Sequence, residues 1–575
     1  MSESCHTEDD ENATPSVDLS TPRAAFARRF EPHTSRLDGG VAARGRAIDD
    51  TGIDDWNLEF WFARPRLKRP TPVARVGWKR NERRRECSTR AFDRSMRPSI
   101  VFFERRRCGG GVFAMHVIVV ACAAFTFAAR RVDANAFGTS FIRTDGRRFL
   151  VGGDDDDDAR VVFRGFNAYG LTELASEMTT RRGSFGFDAA NADGRAMASK
   201  AMRSARDAGM NVARTWAFSV HGDRENFTDE ERERVMIGVD WIVAEAERLG
   251  VYVVLALSDY FHNDDKAACV VGMTNDSDDD SDDDSDDDAT FFSREECRRV
   301  YKERVGKILT RKNAMKGGRE YRDDGTIAAW NLINEPRCRG CGDALQRWID
   351  EMAAFVKSID PNHMLTIGEE GFYAADSPSE NVDANPAAWA ATTGQDFVRN
   401  HASPHIDYVT CHLWKDNWGV YAPSVAMNSE RFTREWIRAH EQDAKLLLGK
   451  PLVVEEFGAA PGGARALTRA ADNSGRRTVI ARVATPRNER QVATYYRNVF
   501  SQVYRSAVDD RDGYIQGALF WVYWPEEMRP FVNAYDPYAV YPSDRAFAEA
   551  SRFSESVARA IDGRSVAREP IQEYY

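Results

Sequence analysis

The chain has 575 residues, of which 42% are hydrophobic and 29% charged, with 40 glycines and 21 prolines. The hydrophobic content excludes a wholly disordered chain, and the glycine and proline contents are too low for a fibrous repeat. The net charge of −11 does not indicate a charged partner, because fifteen aspartates lie in two tracts, 154–158 and 276–288. Without these tracts the chain beyond residue 114 is nearly neutral, and nothing in it indicates binding to nucleic acid.

The first 136 residues differ in composition from the rest of the chain. Residues 1–110 lack sustained apolar periodicity and are rich in Arg, Asp, Ser and Pro, which predicts a disordered extension or an over-extended gene model. An apolar run without Lys, Arg, Asp or Glu follows at 111–129, close to the roughly 20 residues that span a bilayer. Ala134-Asn135-Ala136 then has the small-x-small form of a signal-peptidase site. Residues 111–136 are therefore predicted to be a signal peptide or a signal anchor.

Three interpretations of this apolar segment remain open. If translation starts at Met96 or Met115, the segment is a cleaved signal peptide and the protein is extracellular. If the full N-terminus is used, the segment is an uncleaved membrane anchor with its basic flank in the cytoplasm. A buried core helix is the third interpretation, and the arginine-rich flank argues against it. Both of the first two place the remaining chain outside the cytosol.

Five cysteines lie beyond the apolar segment, and this odd number leaves at least one thiol unpaired if the others form disulfides. They are Cys269, Cys297, Cys338, Cys341 and Cys411. The Cys338–Cys341 pair has the spacing of a metal half-site, but no second Cys/His pair stands at zinc spacing. A local disulfide or two free thiols is the favoured interpretation.

From residue 137 to the end, short runs rich in β-branched residues alternate with helical patterns, for example Val235–Leu249 and Leu345–Ser358. Eight such runs predict a closed parallel (β/α)8 barrel, an α/β fold of the TIM type, as one domain over 137–575. The uneven spacing predicts long loops, among them an Asp-rich insertion at 274–289 that is interpreted as a solvated loop. The eight runs are Val161–Asn167, Asn211–Trp216, Val251–Leu257, Ile327–Ile333, Met364–Gly368, Tyr408–His412, Pro451–Glu455 and Gly517–Tyr523.

Catalytic residues of such barrels stand at the carboxyl ends of the strands. Here two of these ends carry glutamates, Glu335 and Glu456, and the others supply arginine, histidine and tryptophans. Two carboxylates on different strands suit cleavage of a glycosidic bond, in which one donates a proton and the other attacks the anomeric carbon. An arginine nearby would keep one carboxylate ionised, burial would raise the pKa of the other, and exposed tryptophans would present flat faces to sugar rings.

Each residue alone has a structural explanation: a lone Glu and Arg214 can be ion-pair partners, His412 a hydrogen-bonded core histidine, and Trp521 or Trp524 a core aromatic. The functional interpretation depends on their ordered occurrence at five strand ends.

These residues resemble glycoside hydrolase family 5. Asn334-Glu335-Pro336, with Glu456-Phe457-Gly458 about 120 positions later, looks like that family's pair of motifs, and the longer stretch 329–338 resembles its plant-type endo-β-1,4-mannanases. The segments 351–360, 368–373 and 163–167 are also similar, so the resemblance covers roughly residues 140–560. It implies retaining endo-hydrolysis of β-1,4-mannosidic bonds in mannan, glucomannan or galactomannan.

The resemblance also implies a role for each site residue. Glu335 would be the acid/base and Glu456 the nucleophile, whereas the adjacent Glu455 is expected to point to the other face of its strand. The implied substrate-binding and supporting residues are Arg214, Trp216, Asn334, His412, Trp414 and Trp521.

One position departs from the family pattern, because Trp414 stands where members commonly have a tyrosine that donates a hydrogen bond to the nucleophile. An indole N–H can donate one such bond but does not fully replace a phenol.

The expected partner is a β-mannan-type polysaccharide, with a monomeric protein, no cofactor and no metal. Membrane contact is expected only if the apolar segment is uncleaved. Two alternatives stay open: a β-1,4-glucanase or mannan transglycosylase on the same fold, and a non-catalytic carbohydrate-binding protein of the cell surface.

Overall fold

A computed structural model describes most of the chain beyond residue 136. The described residues are 137–152, 158–177, 193–219, 228–261, 265–266, 269, 284–418, 420, 426–460, 465–471, 477–483, 488–532 and 536–561. The predicted N-terminal extension, the apolar segment and the Asp-rich insertion up to residue 283 lie outside these ranges, so those predictions stay open.

Fifteen strands are present in the described ranges. They are β1 (Ile142–Asp145), β2 (Arg148–Val151), β3 (Ala159–Val161), β4 (Phe163–Asn167), β5 (Val212–Trp216), β6 (Tyr252–Ala256), β7 (Lys312–Asn313), β8 (Arg319–Glu320), β9 (Ile327–Asn331), β10 (Met364–Thr366), β11 (Val409–Leu413), β12 (Leu452–Phe457), β13 (Arg465–Ala471), β14 (Arg477–Val483) and β15 (Ile515–Phe520).

Eight of the strands form one parallel sheet in the order β10-β9-β6-β5-β4-β15-β12-β11. The two outer strands of this order also meet: Asp407 N donates to Leu365 O at 2.8 Å and His412 N donates to Glu370 O at 3.0 Å. These bonds bring the sheet round into a barrel, so the predicted α/β barrel is confirmed. Each of the eight predicted runs overlaps a barrel strand, because strands buried on both faces consist mostly of apolar residues.

Helices lie between the barrel strands and cover the outside of the barrel. The α-helices within the described ranges are Gly170–Ala175, Gly194–Asp207, Asp229–Leu249, Asp284–Ser293, Glu295–Leu309, Ala344–Ile359, Phe397–His401, Ala426–Asp443, Glu489–Tyr504, Arg529–Val532 and Arg545–Ile561. Among the described helices, none combines the length and the apolar character that crossing a membrane requires.

A small antiparallel sheet of β1, β2 and β3 packs against the amino end of the barrel. Phe149 stacks on Phe163 with ring centroids 4.6 Å apart and meets Tyr408 edge-on at 5.4 Å. The sequence reasoning missed this sheet and joined Val161 to the first barrel strand. Because these rings fill the amino end of the barrel, the carboxyl end is left for a functional site.

The described residues contain two disulfides, Cys269–Cys297 and Cys338–Cys341, and Cys411 is a free, buried thiol. The second disulfide is one of the two alternatives predicted for the Cys338–Cys341 pair, a local disulfide or two free thiols. The unpaired Cys411 agrees with the odd number of cysteines beyond the apolar segment.

Candidate active site

Two buried glutamates meet at the carboxyl end of the barrel. Glu335 follows β9 and Glu456 lies in β12, with exposures of 8% and 2%. One carboxylate oxygen of each lies within 4.8 Å of the other and of a ring nitrogen of His412. Retaining glycosidases hold their carboxyl groups about 5–5.5 Å apart, whereas inverting enzymes need about 6.5–9.5 Å for a water. The spacing therefore favours a mechanism with direct attack by one carboxylate.

Each oxygen of Glu456 accepts a hydrogen bond. Arg214 Nη1 donates to Oε1 at 2.5 Å, and the indole Nε1 of Trp414 donates to Oε2 at 3.2 Å. The tryptophan that replaces the family's tyrosine therefore keeps the same type of contact. These two donors orient the carboxylate and stabilise its charged form.

Glu335 has a different environment: within the described part of the chain, its one side-chain hydrogen-bond partner is His412, whose Nδ1 lies 2.7 Å from Oε1. The backbone of Glu335 has φ +47°, a left-handed conformation that non-glycine residues adopt at an energetic cost. Its N–H donates to Gly368 O at 2.8 Å, which holds this conformation. The strained backbone directs the carboxyl group toward His412 and Glu456.

Arg214 connects the nucleophile position with the asparagines of the site. Its Nη2 donates to Asn334 Oδ1 at 2.7 Å, and its Nη1 also donates to Asn167 Oδ1 at 2.9 Å. Asn334 Nδ2 in turn donates to Asp259 Oδ1 at 2.9 Å. Asp259 follows β6, and the sequence reasoning missed it because its partner is a side chain 75 positions away.

The predicted tryptophans lie together around the carboxylates but are not exposed, contrary to expectation. Trp216, Trp414 and Trp521 are 3%, 3% and 6% exposed, because Trp521 packs against Trp216 at 6.1 Å and Trp414 at 6.0 Å. Trp521 Nε1 also donates to Asp536 Oδ2 at 3.3 Å. The sequence reasoning missed Asp536, which no motif marks. The tryptophans therefore form a packed aromatic wall rather than separate platforms.

From the sequence, one glutamate was expected to be kept ionised and only the other to have a raised pKa, but the pKa values of both are raised. Burial raises the pKa of Glu335, and the charge of Glu370 adds to this effect. Burial also raises the pKa of Glu456 to about 7, against the opposing effects of His412 and Arg214. The arginine alone does not keep Glu456 ionised, because burial and the nearby Glu335 outweigh it.

Glu455 was expected to point to the opposite face of the strand from Glu456, and this prediction is wrong. Its side chain lies on the same side of the strand as that of Glu456. In the pairing of β11 with β12, Cys411 is opposite Val454 but His412 is opposite Glu456, so Glu455 is an extra residue in a β-bulge. Its Oε2 accepts from Asn331 Nδ2 at 2.9 Å and lies 3.5 Å from Arg214 Nε. The alternation rule fails here because a bulge breaks the two-residue period.

Among the described residues, Glu335, His412 and Glu456 have the donor atoms for a metal ion. The neighbouring charges oppose such binding. Burial lowers the pKa of His412, but the surrounding carboxylates raise it to about 10, which favours the imidazolium form, whose ring nitrogens have no free lone pair. Arg214 already occupies one oxygen of Glu456. The arrangement suits proton transfer and nucleophilic attack.

Known proteins are similar to this chain in sequence and in fold. The family described as GH family 5 beta-mannosidase-like matches residues 228–535. Mannan endo-1,4-beta-mannosidase 1 of Oryza sativa subsp. japonica is 33% identical over 442 residues, which cover 74% of this chain and 88% of the rice protein. Mannan endo-1,4-beta-mannosidase 1 of Arabidopsis thaliana is 35% identical over 329 residues, covering 56% of this chain and 72% of that protein. The solved structure of a glycoside hydrolase family 5 mannosidase from Rhizomucor miehei is similar in fold, with a TM-score of 0.54 at 21% identity over 74% of this chain and 99% of the other.

Proposed function

The chain belongs to the β-mannosidase-like enzymes of glycoside hydrolase family 5, and from this premise we propose that it is an endo-acting β-1,4-mannanase that works with retention. The observation that carries the mechanism is the pair of buried carboxylates, Glu335 and Glu456, whose oxygens lie within 4.8 Å. The relatives in rice and Arabidopsis named for mannan hydrolysis support a mannan-type polysaccharide as the substrate.

In the first step, protonated Glu335 donates its proton to the glycosidic oxygen while Glu456 attacks the anomeric carbon. The leaving sugar departs as an alcohol, and a covalent glycosyl-enzyme forms on Glu456. The raised pKa of Glu335 suits this role, because a general acid must hold its proton near the working pH. Glu335, now ionised, then removes a proton from water, which attacks the anomeric carbon and releases Glu456.

The other site residues position these groups and the sugar. Arg214 and Trp414 orient Glu456 through their hydrogen bonds, and His412 orients Glu335. Asn334 uses one amide hydrogen for Asp259 and has a second that we assign to the 2-hydroxyl of the sugar being cleaved. The aromatic wall of Trp216, Trp414 and Trp521 lines this subsite, with Trp521 beneath the sugar ring.

The full-length protein, incubated with linear β-1,4-mannan while reducing ends and product sizes are followed, tests the proposal. We expect short manno-oligosaccharides, with Glu335→Gln and Glu456→Ala each losing activity. Full activity of either variant would refute the assignment of its residue. Binding of mannan without release of reducing ends would favour a carbohydrate-binding protein, and a panel with cellulose and oligosaccharide acceptors separates glucanase and transglycosylase activity.

We also propose that the protein enters the secretory pathway and works outside the cell as a monomer. Disulfides persist in oxidising compartments, and the Cys269–Cys297 and Cys338–Cys341 bonds support this location. N-terminal sequencing of the mature protein distinguishes cleavage near residue 136 from an uncleaved membrane anchor. Light scattering of the purified protein measures the oligomeric state.

A further inference from the structure

The bulged glutamate Glu455 lies beneath the two reacting carboxylates and contacts the two cations of the site. Its Oε2 lies 3.5 Å from Arg214 Nε and 3.7 Å from His412 Nε2. All three groups are buried, with exposures of 1% or less. Arg214 Nε and His412 Nε2 have no hydrogen-bond partner within the described residues, so Glu455 is the anion that faces each of them.

The position of His412 between carboxylates determines its charge state. Nδ1 lies 2.7 Å from Glu335 and 3.5 Å from Glu456, and Nε2 faces only Glu455. When Glu335 is protonated, as the first catalytic step requires, the anions near the ring are Glu456 at Nδ1 and Glu455 at Nε2. A ring that carries both protons faces an anion on each side, whereas a neutral ring is attracted to only one of them.

The anchoring of Glu455 fixes this geometry. Asn331 Nδ2 donates to its carboxylate at 2.9 Å, and Asn167 Nδ2 donates to its backbone oxygen at 2.8 Å. Although burial acts to raise the pKa of Glu455, Arg214 and His412 hold it below its ordinary value. The other titratable groups that face Glu455 or His412 are Tyr408, Cys411 and Glu369.

We propose that Glu455 is a positioning residue, whose carboxylate keeps His412 as an imidazolium and holds Arg214 in place beneath the catalytic pair. This role rests on the proposed function, since it is through His412 and Arg214 that Glu455 acts on Glu335 and Glu456. The β-bulge is the structural device that brings a third carboxylate into the barrel. Glu455 itself touches neither the sugar nor the reacting atoms.

The charge of His412 can be measured directly in the full-length protein labelled with ¹⁵N-histidine, where the ring-nitrogen shifts report protonation. The His412 signal is assigned by its loss in His412→Gln. We expect wild-type His412 to be doubly protonated at pH 8. In Glu455→Gln, its titration should move down by about one to three pH units, the effect of one opposite charge at this distance. Glu455→Asp keeps the charge and should leave His412 protonated at pH 8.

Asp360→Asn is the matched control, because Asp360 is also a buried carboxylate beside a histidine, with His363 Nδ1 at 2.6 Å. It lies before β10, at the amino end of the barrel, and we expect this substitution to leave the titration of His412 unchanged.

Activity gives a second readout. The kcat of Glu455→Gln on mannan, relative to wild type, should fall as the pH rises through the new pKa of His412.

A neutral His412 in the wild type at pH 8, or an unchanged titration in Glu455→Gln, would overturn the proposal. If Glu455→Gln does not fold, the wild type and Glu455→Asp decide the question, because both must show a protonated His412. The histidine spectrum does not depend on turnover. Failure of this proposal is therefore distinguishable from failure of the mannanase assignment, which the Glu335→Gln and Glu456→Ala variants test.

Discussion

Replacement of Trp414 by phenylalanine should weaken catalysis and shift its pH dependence. The indole Nε1 donates to Glu456 Oε2 at 3.2 Å, and phenylalanine cannot make this bond. A hydrogen bond to a charged group contributes about 1.5–3 kcal/mol, and the long distance places this one at the lower end. A loss of about 1.4 kcal/mol corresponds to about a tenfold decrease in kcat/KM.

The same substitution should raise the pKa of Glu456, because a donor to a carboxylate stabilises the ionised form. In the wild type, this pKa is about 7. A loss of about 1.4 kcal/mol raises it by about one pH unit, so the acidic limb of kcat/KM should move up by that amount. The assay is the rate of reducing-end release from linear mannan between pH 4 and pH 9.

Trp418→Phe is the control for loss of an indole in the same segment. Trp418 is also buried, but it packs against Phe372 at 5.1 Å and Trp436 at 5.2 Å. Its replacement should leave the pH profile unchanged. If Trp414→Phe retains the wild-type rate and profile, the indole does not act as a donor to Glu456 and the reasoning is wrong; Trp414→Tyr, which restores a donor, should recover part of the loss.

Three further predictions concern the residues around this pair. Arg214→Lys keeps the positive charge but loses the paired contacts with Glu456 and Asn334. Because two hydrogen bonds of about 1.5 kcal/mol each are lost, kcat/KM on mannan should fall about 100-fold. A decrease of less than threefold would contradict this prediction. Asp259→Ala frees the Asn334 amide, so kcat should fall about tenfold with little change in KM, and an unchanged kcat would show that Asn334 needs no support. The double variant Cys269→Ser with Cys297→Ser opens a loop of 28-residue separation, which should lower the free energy of unfolding in urea by about 3.5 kcal/mol while the activity of the folded enzyme is retained.

The sequence was informative where the chemistry depends on local patterns. Eight largely apolar runs predict the eight barrel strands, because a strand buried on both faces consists mostly of apolar residues. The ends of those runs identify Glu335 and Glu456, since parallel strands bring their carboxyl ends together. The antiparallel β1–β3 sheet was missed because its strands have only three or four residues.

Other features of the site depend on the three-dimensional arrangement. Asp259 and Asp536 become site residues only through Asn334 and Trp521, and neither contact leaves a periodic signal in the chain. The inward direction of Glu455 depends on the pairing of β11 with β12, where an extra residue shifts the register. A rule based on two-residue alternation predicts the wrong face at such a bulge.

The third carboxylate makes the summed charge of Arg214, His412, Glu335, Glu455 and Glu456 zero, and proton transfer from Glu335 keeps this sum constant through the reaction. In the reactive form, the two cations, Arg214 and His412, are balanced by ionised Glu455 and Glu456, and Glu335 is protonated. In the glycosyl-enzyme, Glu456 is an uncharged ester and Glu335 has become the anion, so the sum is again zero. Because the net charge is unchanged, the cations can stay fixed while the negative charge moves from one glutamate to the other. Electrostatic preorganisation of this kind stabilises a transition state without reorganisation at the moment of reaction.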